Sequence, residues 1–209
     1  MFKLYGRKSS FKKDIESANI LLHEISISNA KNFLEIGVYQ GVMAKNICET
    51  LFKNYKNNFM YYGIDLFEQT NEDLDQEEFT LKKNIYFSNP LKNFWFKYIL
   101  NENPHSELSV KRFLKKYEKN IKLFKGFSKN ELTKVPIETI NFAFIDGGHS
   151  YETVKKDINF CINGMKKKSI IICDDYDVEN YGVKKAVDEI INKVNSVINL
   201  NKRLVKIII

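Results

Sequence analysis

The sequence predicts an α/β fold: one doubly wound, mostly parallel sheet of seven strands, finished by an antiparallel hairpin. Three observations carry that expectation. Short apolar runs alternate with segments of helical period, as βαβ units require. Four of the runs end in acids or glycines, at Glu35-Ile36-Gly37, Asp65, Asp146-Gly147-Gly148 and Asp174-Asp175. The last two apolar runs, SVINL and LVKIII, lie close together with Asn201-Lys202-Arg203 between them, which suggests a hairpin at the sheet edge.

In chain order, a first helix is expected over Phe11–Ile25. The run NFLEIG (Asn32–Gly37) reads as a buried strand, and GVMAKNICETLF follows with Val42, Ile47 and Leu51 at helical spacing. FMYYGID (Phe59–Asp65) is the second strand and IKLFKG (Ile121–Gly126) the third. Ser128 is a candidate N-cap for the short helix after it. INFAFI (Ile140–Ile145) is the fourth strand; its helix starts after Ser150, a second N-cap candidate, with Val154, Ile158 and Ile162 on one face. SIIICDD (Ser169–Asp175) is the fifth strand, and GVKKAVDEIINKV a helix before the hairpin. Residues 66–120 exceed what a crossover needs. Their acidic start, aromatic middle and two prolines, Pro90 and Pro104, mark a helical insert after strand two.

Bulk properties narrow the class. The 209 residues suffice for one well-buried domain, and 44% apolar with 28% charged residues is ordinary for a soluble globular protein. No apolar stretch is long enough to span a bilayer, and no apolar core follows the basic residues at the N-terminus, so a cytoplasmic protein is expected. Cys48, Cys161 and Cys173 are odd in number, widely spaced and in apolar contexts, which fits buried free thiols better than disulfides or zinc. The net charge of +7 is spread among acids, and the one compact run, Lys166–Lys168, falls in a helix-to-strand loop. Nucleic acid is therefore not expected as a partner.

Ligands in parallel sheets bind beyond the strands' carboxyl ends, so the strand-end residues matter most. In LEIGVYQG, Gly37 permits a tight turn and Gly41 a close approach of the following helix. Asp65, 24 residues after Gly41, stands where an acid can accept both hydroxyls of a ribose. The plain alternative is strand-to-helix punctuation with a surface acid. Taken together, the two signals point to a nucleoside-type cofactor. If strands four and five are neighbours, Asp146, Asp174 and Asp175 converge, and three close carboxylates call for a cation; hard oxygen donors suit Mg²⁺. Otherwise one of them caps a helix and the others face solvent. His149, three residues past Asp146, can take a proton near neutral pH.

The series LEIGVYQG, YYGID, KGFSKNEL, FIDGGHSY, IICDDY and GVKKAVDE resembles the class I S-adenosylmethionine-dependent methyltransferases, which are Rossmann-like. It is most similar to their cation-dependent O-methyltransferase branch, which includes macrocin-type sugar enzymes. The likeness runs from about Asn32 to Val194 and leaves the insert unmatched. It implies that Glu35, Gly37, Tyr39 and Gly41 bind the methionine portion, that Asp65 binds the ribose, and that Ser128 lies at the adenine edge. It further implies a divalent cation on Asp146, Asp174 and Asp175, with His149 as the base. Asp146 is also expected beside the cofactor. The expected acceptor is a small molecule or a sugar-containing precursor, with residues 66–120 as a lid in which Phe94, Trp95 and Phe96 line the acceptor or pack on the core. Small phenols or catechols are the rival acceptors, and an RNA-binding protein or nucleic-acid methyltransferase the rival class. Self-association is left open.

Overall fold

A computed structural model describes residues 1–68, 87 and 89–209 of the chain. Seven strands form one sheet: β1 (Asn32–Ile36), β2 (Met60–Asp65), β3 (Ile121–Lys125), β4 (Phe142–Ile145), β5 (Ile170–Cys173), β6 (Ser196–Asn199) and β7 (Val205–Ile208). Their order across the sheet is β3-β2-β1-β4-β5-β7-β6. The first five are mutually parallel, whereas β7 runs antiparallel to both β5 and β6. The C-terminal hairpin therefore exists as expected, but its later strand is the inner one. Among the described residues, seven helices of α type precede or connect the strands: α1 (Ile15–Ile27), α2 (Val42–Tyr55), α3 (Pro90–Phe94), α4 (Glu107–Phe113), α5 (Ser128–Glu131), α6 (Tyr151–Gly164) and α7 (Val183–Asp188).

Alternation along the strands explains why they read as continuous apolar runs: a parallel sheet is buried on both faces. On one face Phe33, Tyr61, Phe142, Phe144 and Ile172 pack under α1 and α2, through Leu21, Ile25, Ile47 and Leu51. On the other, Leu34, Ile36, Ile64, Ala143, Ile145 and Ile171 pack under α6 and α7, through Val154, Ile158, Ala186 and Val187. Phe33 stacks on Phe142 with ring centroids 5.1 Å apart. Truncating a ring so deeply buried costs on the order of 3–5 kcal/mol. All three cysteines are free and buried.

Two helix starts differ from expectation. Phe11 belongs to a 3₁₀ turn over Ser10–Lys13, and α1 begins after Asp14, whose side chain accepts from the Ser17 amide at 3.1 Å. Ser128 is not a cap: it is the first residue of α5, and Phe127 before it offers no side-chain acceptor. Ser150 does cap α6, accepting from the Thr153 amide at 3.3 Å. Of the 66–120 segment, residues 69–86 and 88 lie outside the described residues. The described part includes α3, which runs into a π-helical turn over Trp95–Ile99, and α4.

Candidate active site

Register brings the strand ends to one level. Ile36 of β1 pairs with Ile64 on one side and with Ile145 on the other, and Ile145 pairs with Cys173. The residues immediately after β1, β4 and β5, together with Asp65 at the end of β2, therefore share one rim, as the sequence led us to expect.

The turn after β1 is built by two glycines in left-handed conformations, Gly37 (φ +96°) and Gly41 (φ +75°). At Gly37 a Cβ would sit 1.9 Å from the Asp146 carbonyl oxygen, so only glycine lets β1's turn pass β4's end. Tyr39 is also left-handed (φ 54°), an uncommon state for a bulky residue. Asp65 holds it there: one carboxylate oxygen accepts the amides of Val38 (2.8 Å) and Tyr39 (2.7 Å), and the other accepts the Phe67 amide (2.5 Å). Burial raises the Asp65 pKa, and these three amides oppose the rise.

Two hollows open along the rim, and Asp146 lines both. The first is bordered by Gly37, Val38, Tyr39, Val42 and Met43 on one side and by Lys8, Ser9 and Ser10 on the other. The second is bordered by Gly147, Gly148, His149, Asp174 and Asp175. Gly41, the N-cap of α2, ends the turn that forms the first hollow. Four residues named from the sequence line neither hollow: Gly41 and Asp65, which shape the turn, and two that stand elsewhere. Ser128 lines neither hollow, and Glu35 lies beneath the turn, 1% exposed. There the Tyr61 hydroxyl donates to Glu35 Oε2, Oε1 has no hydrogen-bond partner, and burial raises the carboxyl's pKa to about 8.

In the second hollow, His149 Nε2 lies 3.2 Å from Asp175 Oδ2. Tyr181 stacks on the imidazole with centroids 4.3 Å apart, and the Gly182 amide donates to the His149 carbonyl at 2.9 Å. A side chain at Gly182 would strike the Tyr151 backbone at 2.1 Å, so the loops after β4 and β5 interlock at this glycine. Asp146 is held well above the usual carboxylate pKa range by burial first, and then by the charges of Asp174 and Asp175. One ligand atom from each of Asp146, His149 and Asp175 lies within 4.8 Å of the others, a spacing that a single ion can bridge. The two carboxylates of the group suit a hard divalent cation, with the imidazole beside it. Asp174 is placed differently: it is 2% exposed, and its carboxylate takes the Arg203 guanidinium at two points, Nε to Oδ1 at 2.6 Å and Nη2 to Oδ2.

Several neighbours of the site escaped sequence reasoning. Ser10 donates to Asp146 at 3.2 Å, and the Lys8 amide to Gln40 Oε1 at 2.8 Å, so residues 8–10 strap the first hollow. His105 edges onto Tyr39 at 4.9 Å, and its pKa falls to about 4 by burial. Nothing in the N-terminal run KSSF marks it as site-forming. Arg203 was legible in principle, because a hairpin whose second strand pairs with β5 puts the residues just before that strand beside those just after β5.

Comparison with known proteins bears on the family and the fold. A family model described as a methyltransferase domain matches residues 34–176. Among curated proteins none matches. The solved structure of the O-methyltransferase NovP superposes with a TM-score of 0.64 at 18% identity, covering 94% of this chain and 79% of that one. CalS11, a TDP-rhamnose 3′-O-methyltransferase of calicheamicin biosynthesis, gives 0.58 at 16%, covering 96% and 80%. An O-methyltransferase from Bacillus cereus in complex with SAH gives 0.60 at 11%, covering 96% and 84%. Family match and fold agree with the resemblance read from the strand-end motifs: the chain belongs to the methyltransferase-domain family and is a class I, S-adenosylmethionine-dependent methyltransferase.

Proposed function

We propose that this enzyme transfers a methyl group from S-adenosylmethionine to a hydroxyl of a sugar or glycoconjugate precursor, assisted by a divalent cation such as Mg²⁺. The observation that carries the reading is the position of Asp146 between the two hollows, one beside the glycine turn and one beside His149 and Asp175. Donor and acceptor groups held on either side of that carboxylate would meet there.

In this reading Gly37, Tyr39 and Gly41 shape the seat of the methionine portion, Asp65 accepts the ribose hydroxyls, and Ser128 stands at the adenine edge. Glu35 acts from beneath, by fixing β1 to Tyr61. S-adenosylmethionine supplies the electrophilic sulfonium methyl. Asp146 and Asp175 would hold the cation, with Asp174 behind them, and a divalent ion supplies charge that lowers a hydroxyl's pKa. His149 takes the acceptor's proton: with Nε2–H donated to Asp175, the Nδ1 lone pair stays free. Tyr181 and Asp175 fix the ring, so most of the rate comes from positioning.

The acceptor class follows from a histidine base and a hard cation, which suit an aliphatic vicinal diol. It also accords with CalS11, a TDP-rhamnose 3′-O-methyltransferase. The insert, residues 66–120, would close over the acceptor; its described part already packs Val110 and Phe113 beside Gly41. Phe94 and Trp95 are each 53% exposed and line neither hollow, so an acceptor-lining role for them requires that closure. The acceptor is taken as a small molecule and the compartment as the cytoplasm, consistent with three free thiols. Among the described residues no helix is long and apolar enough to cross a membrane.

The test is methyl transfer from radiolabelled cofactor to panels of sugars, nucleotide sugars and catechols, with and without EDTA. We expect incorporation into a sugar hydroxyl that EDTA abolishes. Transfer only to catechols would refute the acceptor class, and transfer undiminished by EDTA would refute the cation.

A further inference from the structure

Asp146, Asp174 and Asp175 place three carboxylates at one rim. Among the described residues no lysine reaches them, and Arg203 is the cation that does. It is held in place from several directions. Its amide and that of Leu204 donate to Asn201 Oδ1 at 2.9 and 2.7 Å, closing the β6–β7 turn. The Tyr176 amide donates to its carbonyl at 2.9 Å, docking that turn on the loop after β5. The guanidinium lies 4.0 Å from the centre of the Phe11 ring, and Nη1 donates to the Ser10 carbonyl at 3.3 Å. From this seat it grips Asp174 at two points and lies 3.8 Å from Asp175. A two-point guanidinium–carboxylate bond is the strong, oriented form of this interaction.

We propose that Arg203 is the resident counter-ion of the strand-end acids and, from its seat on Asp174, sets the affinity of Asp146 and Asp175 for a divalent cation. The proposal rests on the reading of those acids as a cation site. Its physics is direct. Both oxygens of a buried Asp174 are already bonded to Arg203, so a cation on Asp146 and Asp175 enters beside a fixed positive charge. Like charges a few ångströms apart in a partly buried site repel appreciably, and removing one strengthens the attraction for the other by about tenfold or more. Arg203 also holds the acids together before any cation arrives, so the rim keeps its shape without one. That makes it a positioning residue.

The experiment is calorimetric titration of Mn²⁺ into wild type, Arg203→Met, Arg203→Gln and Arg203→Lys, with thermal melts of each with and without the ion. The neutral Met and Gln variants should bind Mn²⁺ at least about tenfold more tightly than wild type, and Lys, which keeps the charge, within about threefold of it. Without the ion the neutral variants should melt lower than wild type, and Mn²⁺ should raise their melting temperature by more than it raises wild type's. A purely structural arginine predicts the reverse, because disordered acids bind the ion more weakly. Neutral variants that bind Mn²⁺ no more tightly than wild type would overturn the proposal while leaving the cation site standing. Failure of wild type and every variant to bind Mn²⁺ would overturn both, and unchanged S-adenosylhomocysteine binding in the same samples would show that the cofactor reading survives. Gln separates charge from packing if Met does not fold, since it is neutral yet keeps a polar hydrogen-bond donor at that position.

Discussion

Glu35 shows how one side chain couples stability to pH. It sits in β1 with Phe33 and Phe144 on the same sheet face, and it bonds Tyr61 across the strand pair. Burial raises its carboxyl from 4.5 to about 8, so the folded protein keeps a proton that the unfolded chain releases. Its contribution is full below about pH 4.5 and declines as pH rises towards 8, by an amount on the order of 4 kcal/mol. Glu35→Gln removes the ionisation and keeps an acceptor for Tyr61. Urea unfolding at pH 5 and pH 8 should show wild type losing stability between the two and the variant losing much less. His149 carries a different kind of prediction. His149→Gln should lower kcat by about a hundredfold or more, while S-adenosylhomocysteine affinity stays within about threefold. A parallel loss of affinity would mean that the imidazole shapes the cofactor seat.

At the level of elements, the turn after β1 is the most constrained. Gly37→Ala forces a Cβ into the Asp146 carbonyl at a positive φ, and we expect a loss of about 3 kcal/mol or more, measured by denaturant melts. Asp65→Ala removes the acceptor of three amides and should weaken S-adenosylhomocysteine binding at least about tenfold, read by calorimetry. These elements were legible because their signals are local. Strand runs such as FAFI and the acids and glycines that end them depend on period and turn chemistry, and Ser150 precedes a helix whose first turn it caps. Where two local signals compete, legibility fails. Asp14 and Ser9 each cap a turn, so Phe11 falls in a 3₁₀ segment ahead of α1. Ser128 has the chemistry of a cap but already lies inside its helix.

On the scale of the whole molecule, the site depends on strand order. β4 lies between β1 and β5, and this alone puts the glycine turn, Asp146 and the Asp174–Asp175 pair in line. The sequence allowed that convergence to be expected, because the strand-end acids are conspicuous and parallel sheets bind ligands there. It did not reveal which of the two acids the arginine holds. Asp174 and Asp175 are adjacent and identical in type; only the insertion of β7 beside β5 brings Arg203 onto the first of them. The strap at residues 8–10 was equally hidden, since its contacts with Gln40 and Asp146 join positions far apart in the chain. The proposed function needs one carboxylate, Asp146, to stand between a nucleoside seat and a cation seat. It is tested most directly by crystals grown with S-adenosylhomocysteine and Mn²⁺, with the ion located by its anomalous scattering. The manganese peak should lie against Asp146 and Asp175, and the thioether sulfur on the opposite side of Asp146, above Gly37. A manganese peak remote from Asp146, or a nucleoside bound on another face of the sheet, would contradict it.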